Sequence, residues 1–246
     1  MEMPTYVALS RLDAQSRALD VVADDIANAS TPGFKASHTL FSDWLDMQRG
    51  VAAPPGGRAV AFAQDRATYR DQQQGPIAHT GNPFDVAIGG EGYFTVDTSR
   101  GPRLTRAGRF GPSPDGTLAD GEGNPVLDTR GQPIRLPAND SRVTITSDGT
   151  VNTESGPVGK IGVVRPDDPN RLQAEGGRLL LANTPTQPVA SPALVQGAVE
   201  DSNVQPVVEI TRMMALLREF QFTSQFVQGE SDRQQKAVDT LLKQNG

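Results

Sequence analysis

Cysteine is absent from this chain of 246 residues, which excludes disulfide bonds, thiolate metal sites and cysteine nucleophiles. Histidine is scarce: His38 and His79 have no carboxylate or second histidine at ligand spacing, so we expect no histidine metal site. Lys and Arg number 23 against 29 Asp and Glu, and a net charge of −6 does not favour nucleic acid or an anionic membrane as a partner. We expect no cofactor and no metal.

Long hydrophobic runs are also missing, since no segment reaches the roughly 18 consecutive apolar residues of a membrane span. Asp13, Arg17 and Asp20 interrupt the N-terminal region, which lacks the basic start and apolar run of a cleaved signal peptide. The sequence therefore predicts no membrane insertion. A chain of this kind that leaves the cytoplasm uses a route without a cleaved signal.

Catalytic motifs are lacking, with neither a Gly-x-Ser-x-Gly nor a His-Glu-x-x-His pattern in the sequence. Residues 156–160 resemble a phosphate loop, but Glu154 stands where its first glycine belongs and Ile161 replaces its Ser or Thr. We interpret this stretch as a turn before a strand at Ile161. The sequence predicts that the protein is not an enzyme, and a carboxylate hydrolase is the weakest of the alternatives.

One acidic run resembles a calcium site, because Asp115, Asp120, Glu122 and Asn124 are interspersed with glycine. Their spacing matches neither the twelve-residue calcium loop nor a nonapeptide repeat. We interpret the run as ordinary hairpin turns, with calcium binding as the alternative.

Glycine and proline are present but unevenly distributed. Of the 25 Gly and 19 Pro, only 7 residues lie within positions 1–50 and 201–246. The middle is punctuated like a turn-rich β protein, and the ends are free to form long helices. The sequence predicts a mixed α+β fold, with N- and C-terminal helices that pair as a coiled coil and a central antiparallel all-β domain. The expected boundaries are 1–35 for the N-terminal helix and turn, 36–73 for a connecting segment, 74–196 for the β domain and 197–246 for the C-terminal helix.

The N-terminal helix is expected over residues 4–29, from Pro4 to the break at Thr31-Pro32-Gly33. A heptad frame gives one seam position to Leu12, Leu19 and Ile26, and the other to Ala8, Val22 and Ala29 with Gln15 as the exception. A second apolar stripe lies off that seam at Val7, Ala14, Ala18 and Val21. The helix is therefore apolar on more than one side.

The C-terminal helix is expected over residues 206–244, capped by Ser202 or Asn203 and with Pro206 near its first turn. One seam position recurs at Ile210, Leu217, Ser224, Ser231 and Val238, and the other at Met213, Phe220, Val227, Gln234 and Leu241. Phe222 and Phe226 lie off the seam. These 39 residues would span about 58 Å, and we favour packing into a multi-chain assembly over a closed helical pair that caps the β domain.

The middle of the chain reads as short strands between turns. Strand-like stretches lie at 84–88, 93–96, 118, 126–127, 143–145 and 161–164, and hairpin-turn dipeptides lie at 115–116, 120–121 and 148–149. Before them, residues 40–45 form either one helical turn or a strand, and 50–57 form a loop. The single tryptophan, Trp44, packs either locally or against a neighbouring chain.

Three stretches together resemble the bacterial flagellar rod and hook protein family. The run Asp25-Ile26-Ala27-Asn28-Ala29-Ser30-Thr31-Pro32-Gly33-Phe34-Lys35 resembles the family's N-terminal signature. Residues 80–88, TGNPFDVAI, with 90–94, GEGYF, resemble the start of its central β domain. Residues 196–207, QGAVEDSNVQPV, continuing to Met213, resemble the segment that leads into its C-terminal helix. Order and spacing agree with the family over both ends and the middle.

Within the family, the length excludes the short rod subunits and the much longer hook protein. The opening Tyr6-Val7-Ala8-Leu9-Ser10 and the length resemble the proximal rod protein with a β domain more than the distal one. Asp24-Asp25 departs from the paired Asn usual in the family, and Ile210 from the common Met. The distal rod subunit stays an alternative, as does, from a different class, a secreted β-rich binding or adhesive module with a helical stalk.

The resemblance implies a structural role in the flagellar basal body. Terminal helices of the family pair and line the inner tube of the rod, the β domain faces outward, and the rod carries torque from motor to hook. Implied partners are other rod subunits, further copies of the chain and the flagellar type III export apparatus, and the implied location is the periplasmic part of the basal body. The expected assembly residues are Leu12, Leu19, Ile26, Asn28, Pro32, Gly33, Phe34, Asn203, Pro206, Ile210, Met213, Leu217, Phe220, Phe222, Phe226, Val227, Val238 and Leu241.

Overall fold

The computed structural model describes residues 3–46, 60–137, 142–176 and 178–244, and of residues 3–5, 41–46, 60–67, 237–238 and 241–244 only the backbone. The chain forms two compact units. The helical unit consists of Met1–Ile26, Ser37–Arg70 and Gln205–Gly246, and the β unit of Ala27–Ala36 and Asp71–Val204. The predicted mixed α+β class, with a helix at each end and antiparallel strands between, is confirmed. Coiled-coil pairing of the two helices stays a prediction.

Two long helices belong to the helical unit, α1 over Met3–Ala27 and α2 over Pro206–Gln244. Pro4 lies in the first turn of α1 and Pro206 is the first residue of α2, where the missing amide hydrogen costs no helical bond. Both sequences then run without a further proline, so nothing interrupts the backbone ladder. In the part of the chain that the structure describes, neither helix is both long and apolar enough to cross a membrane.

A β-hairpin completes the helical unit. Strand β1, Ser37–Asp46, pairs antiparallel with β2, Val60–Arg70, and the register shifts between Leu40 and Phe41. Of the two interpretations of residues 40–45, the strand is therefore correct. The predicted loop at 50–57 and the side chain of Trp44 lie outside the described residues.

The β unit is built from short antiparallel strands. They are β3 Ile77–His79, β4 Val86–Gly89, β5 Tyr93–Thr98, β6 Gly101–Thr105, β7 Phe110–Pro112, β8 Leu118–Asp120, β9 Thr144–Ile145, β10 Thr150–Thr153, β11 Gly156–Lys160, β12 Val163–Pro166, β13 Leu172–Ala174, β14 Leu180–Ala182, β15 Thr186–Pro188, β16 Ala193–Gln196 and β17 Ala198–Glu200. The largest sheet has the order β13-β14-β6-β5-β12-β15 and a second has β11-β10-β9. The pairs β16-β4 and β17-β3 join strands that are distant in sequence, and the pair β7-β8 joins consecutive strands.

The two larger apolar clusters of the described residues form most of the core of the β unit. The larger contains Phe94 and Phe110, whose rings meet edge to face with centroids 5.0 Å apart, together with Ile88, Leu118 and Ile161. The smaller packs Tyr93 against Leu104, Leu172 and Leu180. Strands β4 and β5 supply residues that are almost fully buried, which is why their sequences read as short apolar runs.

The structure corrects one interpretation of the middle. Residues 156–160 form strand β11, which pairs with β10 across a turn at Glu154 and Ser155, so the stretch is not itself a turn. The hairpin-turn dipeptides at 115–116, 120–121 and 148–149 do lie at turns. In the former calcium candidate, Asp120 Oδ1 accepts bonds from the backbone N–H groups of Glu122 and Asn124, each at 2.9 Å. Its carboxylate thus closes a turn.

Candidate functional site

One face of α1 is covered within the helical unit. Ala8, Gln15, Ala18, Val22 and Asp25 are buried along it, and the residues of the other predicted seam position, Leu12, Leu19 and Ile26, are half-buried. Gln15, the polar exception of the heptad frame, is 6% exposed and donates from Nε2 to Glu219 Oε2 of α2 at 3.3 Å. Arg11 approaches the same carboxylate at 3.8 Å. Small and polar residues thus line this part of α1.

The covered face of α2 is rotated from the predicted seam. Glu209 is buried, and Met213, Leu216, Phe220, Thr223, Val227 and Glu230 are half-buried at alternating spacings of three and four residues. Met213, Phe220 and Val227, which represent one predicted seam position, therefore lie on this face. Ile210 and Leu217 represent the other seam position, and they are 45% and 41% exposed. The side chains of Val238 and Leu241 lie outside the described residues.

Two further faces of α2 are apolar and exposed. At about 100° of rotation per residue, Ile210, Met214 and Leu217 lie about 110° to one side of the covered face. Phe222 and Phe226 lie about 110° to its other side, and they are 71% and 50% exposed. Exposed apolar faces of this kind are typical of a surface that is covered by a neighbouring molecule. The single chain covers one of these three faces.

The turn that follows α1 is built by Thr31, Pro32, Gly33 and Phe34. Thr31 N donates to the carbonyl of Asn28 at 3.0 Å, and Thr31 Oγ1 donates to the Asn28 side chain. Pro32 is buried, and Gly33 has φ of +74°, the left-handed region that favours glycine. A Cβ at Gly33 would stand 2.4 Å from the carbonyl carbon of Arg106. This turn therefore requires glycine for two separate reasons.

Phe34 anchors the turn inside the β unit. Its side chain is 7% exposed and packs with Ala36 and Val204, with Ala29 against the cluster. Asn203 lies beside this cluster: Oδ1 accepts from Ala36 N at 2.7 Å and Nδ2 donates to Gln73 O at 3.1 Å. Residues distant in sequence are thus joined by one apolar cluster and one amide side chain.

The predicted cap of α2 is wrong. Asn203 uses its side chain on the backbone of residues 36, 71 and 73, and Ser202 Oγ accepts from Val204 N. Gln205 instead precedes the first helical residue, and its carbonyl accepts from Val208 N and Glu209 N. The cap signal misleads because Asn and Ser hydrogen-bond equally well to loop backbone.

A buried charge cluster lies at the centre of the β unit. Glu200 Oε1 accepts from Lys35 Nζ at 2.5 Å and from Gly75 N at 3.0 Å. Arg106 Nη2 lies 2.8 Å from Glu200 Oε2 without hydrogen-bond alignment. The three charged side chains are at most 5% exposed. Burial lowers the pKa of the Lys35 amine below its ordinary value, and the Glu200 carboxylate opposes that effect.

This cluster unites the three signature stretches of the sequence. Lys35 ends the first stretch, and Glu200 belongs to the third. The backbone carbonyl of Glu200 also accepts from Gly33 N, at 2.7 Å. Arg106 holds the second by donating to the carbonyls of Gly92 at 2.6 Å and Gly90 at 2.8 Å. Sequence reasoning recognised the stretches but not Glu200 and Arg106 as their meeting point, because a pattern does not show which residues pair across it.

The second signature is stabilised by its own side chains as well. Asp85 is buried and accepts from Thr80 Oγ1 at 2.7 Å and from Asn82 Nδ2 at 2.9 Å. Gly81, with φ of +75°, makes the turn between them. The run at 80–85 is therefore a closed polar turn that introduces strand β4.

A cavity of about 480 Å³ adjoins the charge cluster, and its lining includes Lys35, Tyr93, Arg106 and Arg165. The Lys35 and Arg106 side chains that line it are themselves almost fully buried, and their nitrogens bond to Glu200 and to backbone carbonyls. Over the described residues, no group of three His, Asp or Glu side chains is placed to hold a metal ion. The arrangement is suited to holding chain segments together.

A pair of buried carboxyls belongs to the helical unit. Asp25 is fully buried and accepts from Ser37 N at 3.0 Å, and Glu209 of α2 is 6% exposed. Burial raises the pKa of Asp25 to about 6, and the charges of Glu209 and Asp24 add to that rise. Sequence reasoning missed this pair, although it noted that Asp24-Asp25 departs from the paired Asn usual in the family.

Three family models match the chain, and their ranges include the first and third stretches and residues 87–94 of the second. A model described as the flagella basal body rod protein matches residues 6–35, and one described as the flagellar hook protein FlgE/F/G D1 domain matches residues 87–153. A third, described as the flagellar basal body rod FlgEFG protein C-terminal, matches residues 195–240.

Similar proteins match over nearly the whole length. The chain is 37% identical to the flagellar basal-body rod protein FlgF of Caulobacter vibrioides, covering 100% of both chains. It is 35% identical to FlgF of Mesorhizobium japonicum, covering 98% of each. Identity to the flagellar basal-body rod protein FlgG of Bacillus subtilis is 30%, over 95% of this chain and 97% of that protein.

Proposed function

We propose that this chain, which belongs to the flagellar basal-body rod and hook protein family, is a structural subunit of the bacterial flagellar rod. The observation that carries the proposal is the exposure of two apolar faces on α2 in the single chain. Membership of the family indicates which assembly the chain belongs to. The two exposed apolar faces supply a physical reason for the chain to polymerise.

The energetic argument starts from the exposed side chains of α2. Val207, Phe222 and Phe226 are at least half exposed, with relative exposures of 78%, 71% and 50%. Burying a large apolar side chain stabilises an interface by about 1.5–3 kcal/mol. Because the two faces point in different directions, one partner helix covers only one of them. Two or more neighbours are needed, and open head-to-tail contacts then generate a helical tube.

The finer arrangement follows from the same reasoning and from the family. We infer that α1 and α2 pair as a coiled coil and line the inner tube, and that the β unit faces outward. The domains at 1–35 and 197–246 assemble, the domain at 74–196 folds independently, and segment 36–73 connects them. The position is the proximal, periplasmic rod, where the partners are further copies of the chain and other rod subunits. Delivery is through the flagellar type III export apparatus.

The role is mechanical rather than enzymatic. A subunit that transmits torque needs segments that do not slide past one another, and the Lys35–Glu200–Arg106 cluster ties three distant stretches of the β unit together. Breaking a buried ion pair by removing one partner costs about 3–5 kcal/mol. That resistance to local opening is suited to a drive shaft.

The test of the assembly surface is Leu217→Asp in the full chain. Leu217 is 41% exposed, so the substitution should leave the folded monomer almost as stable as before. In the polymer the carboxylate would be buried in an apolar contact, and we expect the concentration needed for sedimenting polymer to rise at least about tenfold. Cells that carry the variant should be non-motile and should lack rods beyond the innermost part.

Gln225→Asp is the matched control, because Gln225 is an exposed polar residue of the same helix and acquires the same charge. We expect it to sediment and to support motility like the unaltered chain. Normal basal bodies with Leu217→Asp would contradict the proposal. Electron microscopy of basal bodies from a deletion strain checks the position, since loss of only the outer rod would indicate a distal subunit instead.

A further inference from the structure

The end of α1 and the start of α2 contain a cluster of ionisable side chains within the helical unit. Asp25 of α1 is fully buried, and both of its oxygens accept from Ser37 N of β1, at 3.0 and 3.2 Å. Glu209 of α2 is 6% exposed, and its Oε2 has no hydrogen-bond partner among the described residues. Two carboxyls of like charge are therefore buried in one unit.

The cations of the cluster compensate this charge only in part. Arg212 lies one turn after Glu209 and approaches its carboxylate at 3.7 Å, a long ion pair. Arg212 Nη1 also lies 3.2 Å from His38 Nδ1, and because arginine only donates, that ring nitrogen accepts. Asp24, exposed on α1, adds a third negative charge. The groups that act on Asp25 are Ser37 N, which donates to it, and the charges of Glu209, Asp24 and Arg212. His38 joins the cluster through Arg212.

We propose that Asp25 and Glu209 form a proton-operated switch, in which uptake of one proton in mildly acidic solution stabilises the helical unit. The proton resides on Asp25 and removes the repulsion between the two buried carboxylates. The bond from Ser37 N persists, because a protonated carboxyl keeps an acceptor oxygen. Assembly becomes sensitive to pH in turn, and this last step alone rests on the proposed polymerisation of the helices.

The sign of the effect follows from linkage. The pKa of Asp25 is about 6 in the folded unit against 3.8 for the ordinary side chain. A carboxyl whose pKa is raised by folding binds its proton more tightly in the folded state, so stability rises as pH falls through about 6. Lowering the pH from 7.5 to 5 should increase the ratio of folded to opened helical unit about tenfold.

Hydrogen exchange of the full-length chain measures that ratio. Amides of α1 around Val22 should show protection factors about tenfold larger at pH 5 than at pH 7.5, after correction for intrinsic rates. In Asp25→Asn, which keeps shape and an acceptor for Ser37 N, protection should change less than twofold. At pH 7.5 this variant should already be at least as protected as the unaltered chain at pH 5, because its side chain is neutral at both pH values.

Asp24→Asn is the matched control, since it removes the same charge from the exposed neighbouring position. It should keep most of the tenfold response. His38 and Arg212 are present in all three chains, so their contributions are the same in each. An Asp25→Asn chain that responds to pH like the unaltered chain would overturn the proposal, as would an unaltered chain whose protection does not rise on acidification.

Sedimentation of the same three chains separates the switch from the proposed function. If the unaltered chain polymerises more easily at pH 5 than at pH 7.5, and Asp25→Asn polymerises equally at the two pH values, both the switch and the assembly role are supported. A chain that shows the tenfold change in exchange but never sediments supports the switch and contradicts the assembly role. Polymerisation without any effect of Asp25→Asn on exchange supports the assembly role and overturns the switch.

Discussion

Single residues of the β unit explain why the family signatures have the residues they do. Gly33 donates to the carbonyl of Glu200, Lys35 binds its carboxylate, and Arg106 ties the same carboxylate to the backbone of Gly90 and Gly92. A charged side chain is buried at low cost only when partners are fixed around it. Gly33 and Lys35 of the first signature are therefore direct partners of Glu200, and Gly90 and Gly92 of the second are linked to it through Arg106.

At this scale we predict the effect of Gly33→Ala. The substitution places a side chain at φ of +74° and brings its Cβ within 2.4 Å of two backbone atoms at Arg106 and Ala107. We expect the free energy of unfolding of the β unit to fall by about 3 kcal/mol or more, from backbone strain together with steric overlap. Opening free energies of amides in β4 and β5, measured by hydrogen exchange, check it.

Gly81→Ala is the control for strain alone. Gly81 has nearly the same φ, +75°, but no atom lies within 4 Å of a Cβ built there. We expect a loss of about 1 kcal/mol, the cost of the left-handed conformation for alanine. Equal losses in the two variants would show that steric overlap at Gly33 contributes nothing.

At the scale of elements, the two terminal helices differ in what they bury. The covered face of α1 is rich in small residues such as Ala8 and Ala18. In α2, Met213 and Phe220 lie on the covered face, whereas Ile210 and Leu217 are 45% and 41% exposed. Small side chains allow close approach of a partner, whereas large exposed ones require further partners. The C-terminal helix is thus the element that most needs neighbouring chains.

We predict that the double substitution Phe222→Ser and Phe226→Ser weakens assembly without changing the monomer. Both rings are at least half exposed, so the thermal unfolding of helix, followed by circular dichroism, should be unchanged. The concentration needed for polymer should increase at least tenfold, because two aromatic contacts are lost.

Met213→Ser gives the opposite result in the same measurement. Met213 lies on the covered face, so its truncation should destabilise the helical unit by about 1–2 kcal/mol and lower its melting temperature. If the phenylalanine variant melts earlier than the methionine variant, the assignment of covered and exposed faces is wrong.

At the scale of the whole molecule, the two units differ in how much apolar surface they bury. The β unit has a core of fully buried side chains such as Phe94 and Val151, and beyond Phe220 the described residues of α2 are at most half-buried. Local stability follows buried contacts. One chain therefore combines a β unit that has a fully buried core with a C-terminal helix that leaves large apolar side chains exposed.

We predict that hydrogen exchange distinguishes the units in dilute monomer. Amides of α2 beyond Phe220 should exchange within seconds to minutes, and those of β4 and β5 should be protected by most of the global stability. In sedimented polymer the α2 amides should become slow as well. Equal protection of α2 and the β strands in monomer would contradict the division of roles.

The amino-acid sequence by itself determined the class of the protein and its elements. Uneven glycine and proline marked helical ends and a β middle, because these residues stop regular helices and permit tight turns. The sequence pattern predicted both helices. The predicted bounds of α1 differ from the observed ones by at most a few residues, and those of α2 are the same. These features are local, so the residues that cause them lie close together in sequence.

Only the tertiary structure decided which residues meet. The covered face of α2 and the use of Asn203 on loop backbone instead of a helix cap depend on partners far away in sequence. Strand β11 at 156–160 depends on pairing with its neighbour β10, which the residue types at 156–160 alone do not show. Glu200 and Asp25 acquire their importance in the same way, since burial and neighbouring charges set the energy of an ionised group. A sequence pattern records the type of each residue, but the environment of its side chain exists only after the chain has folded.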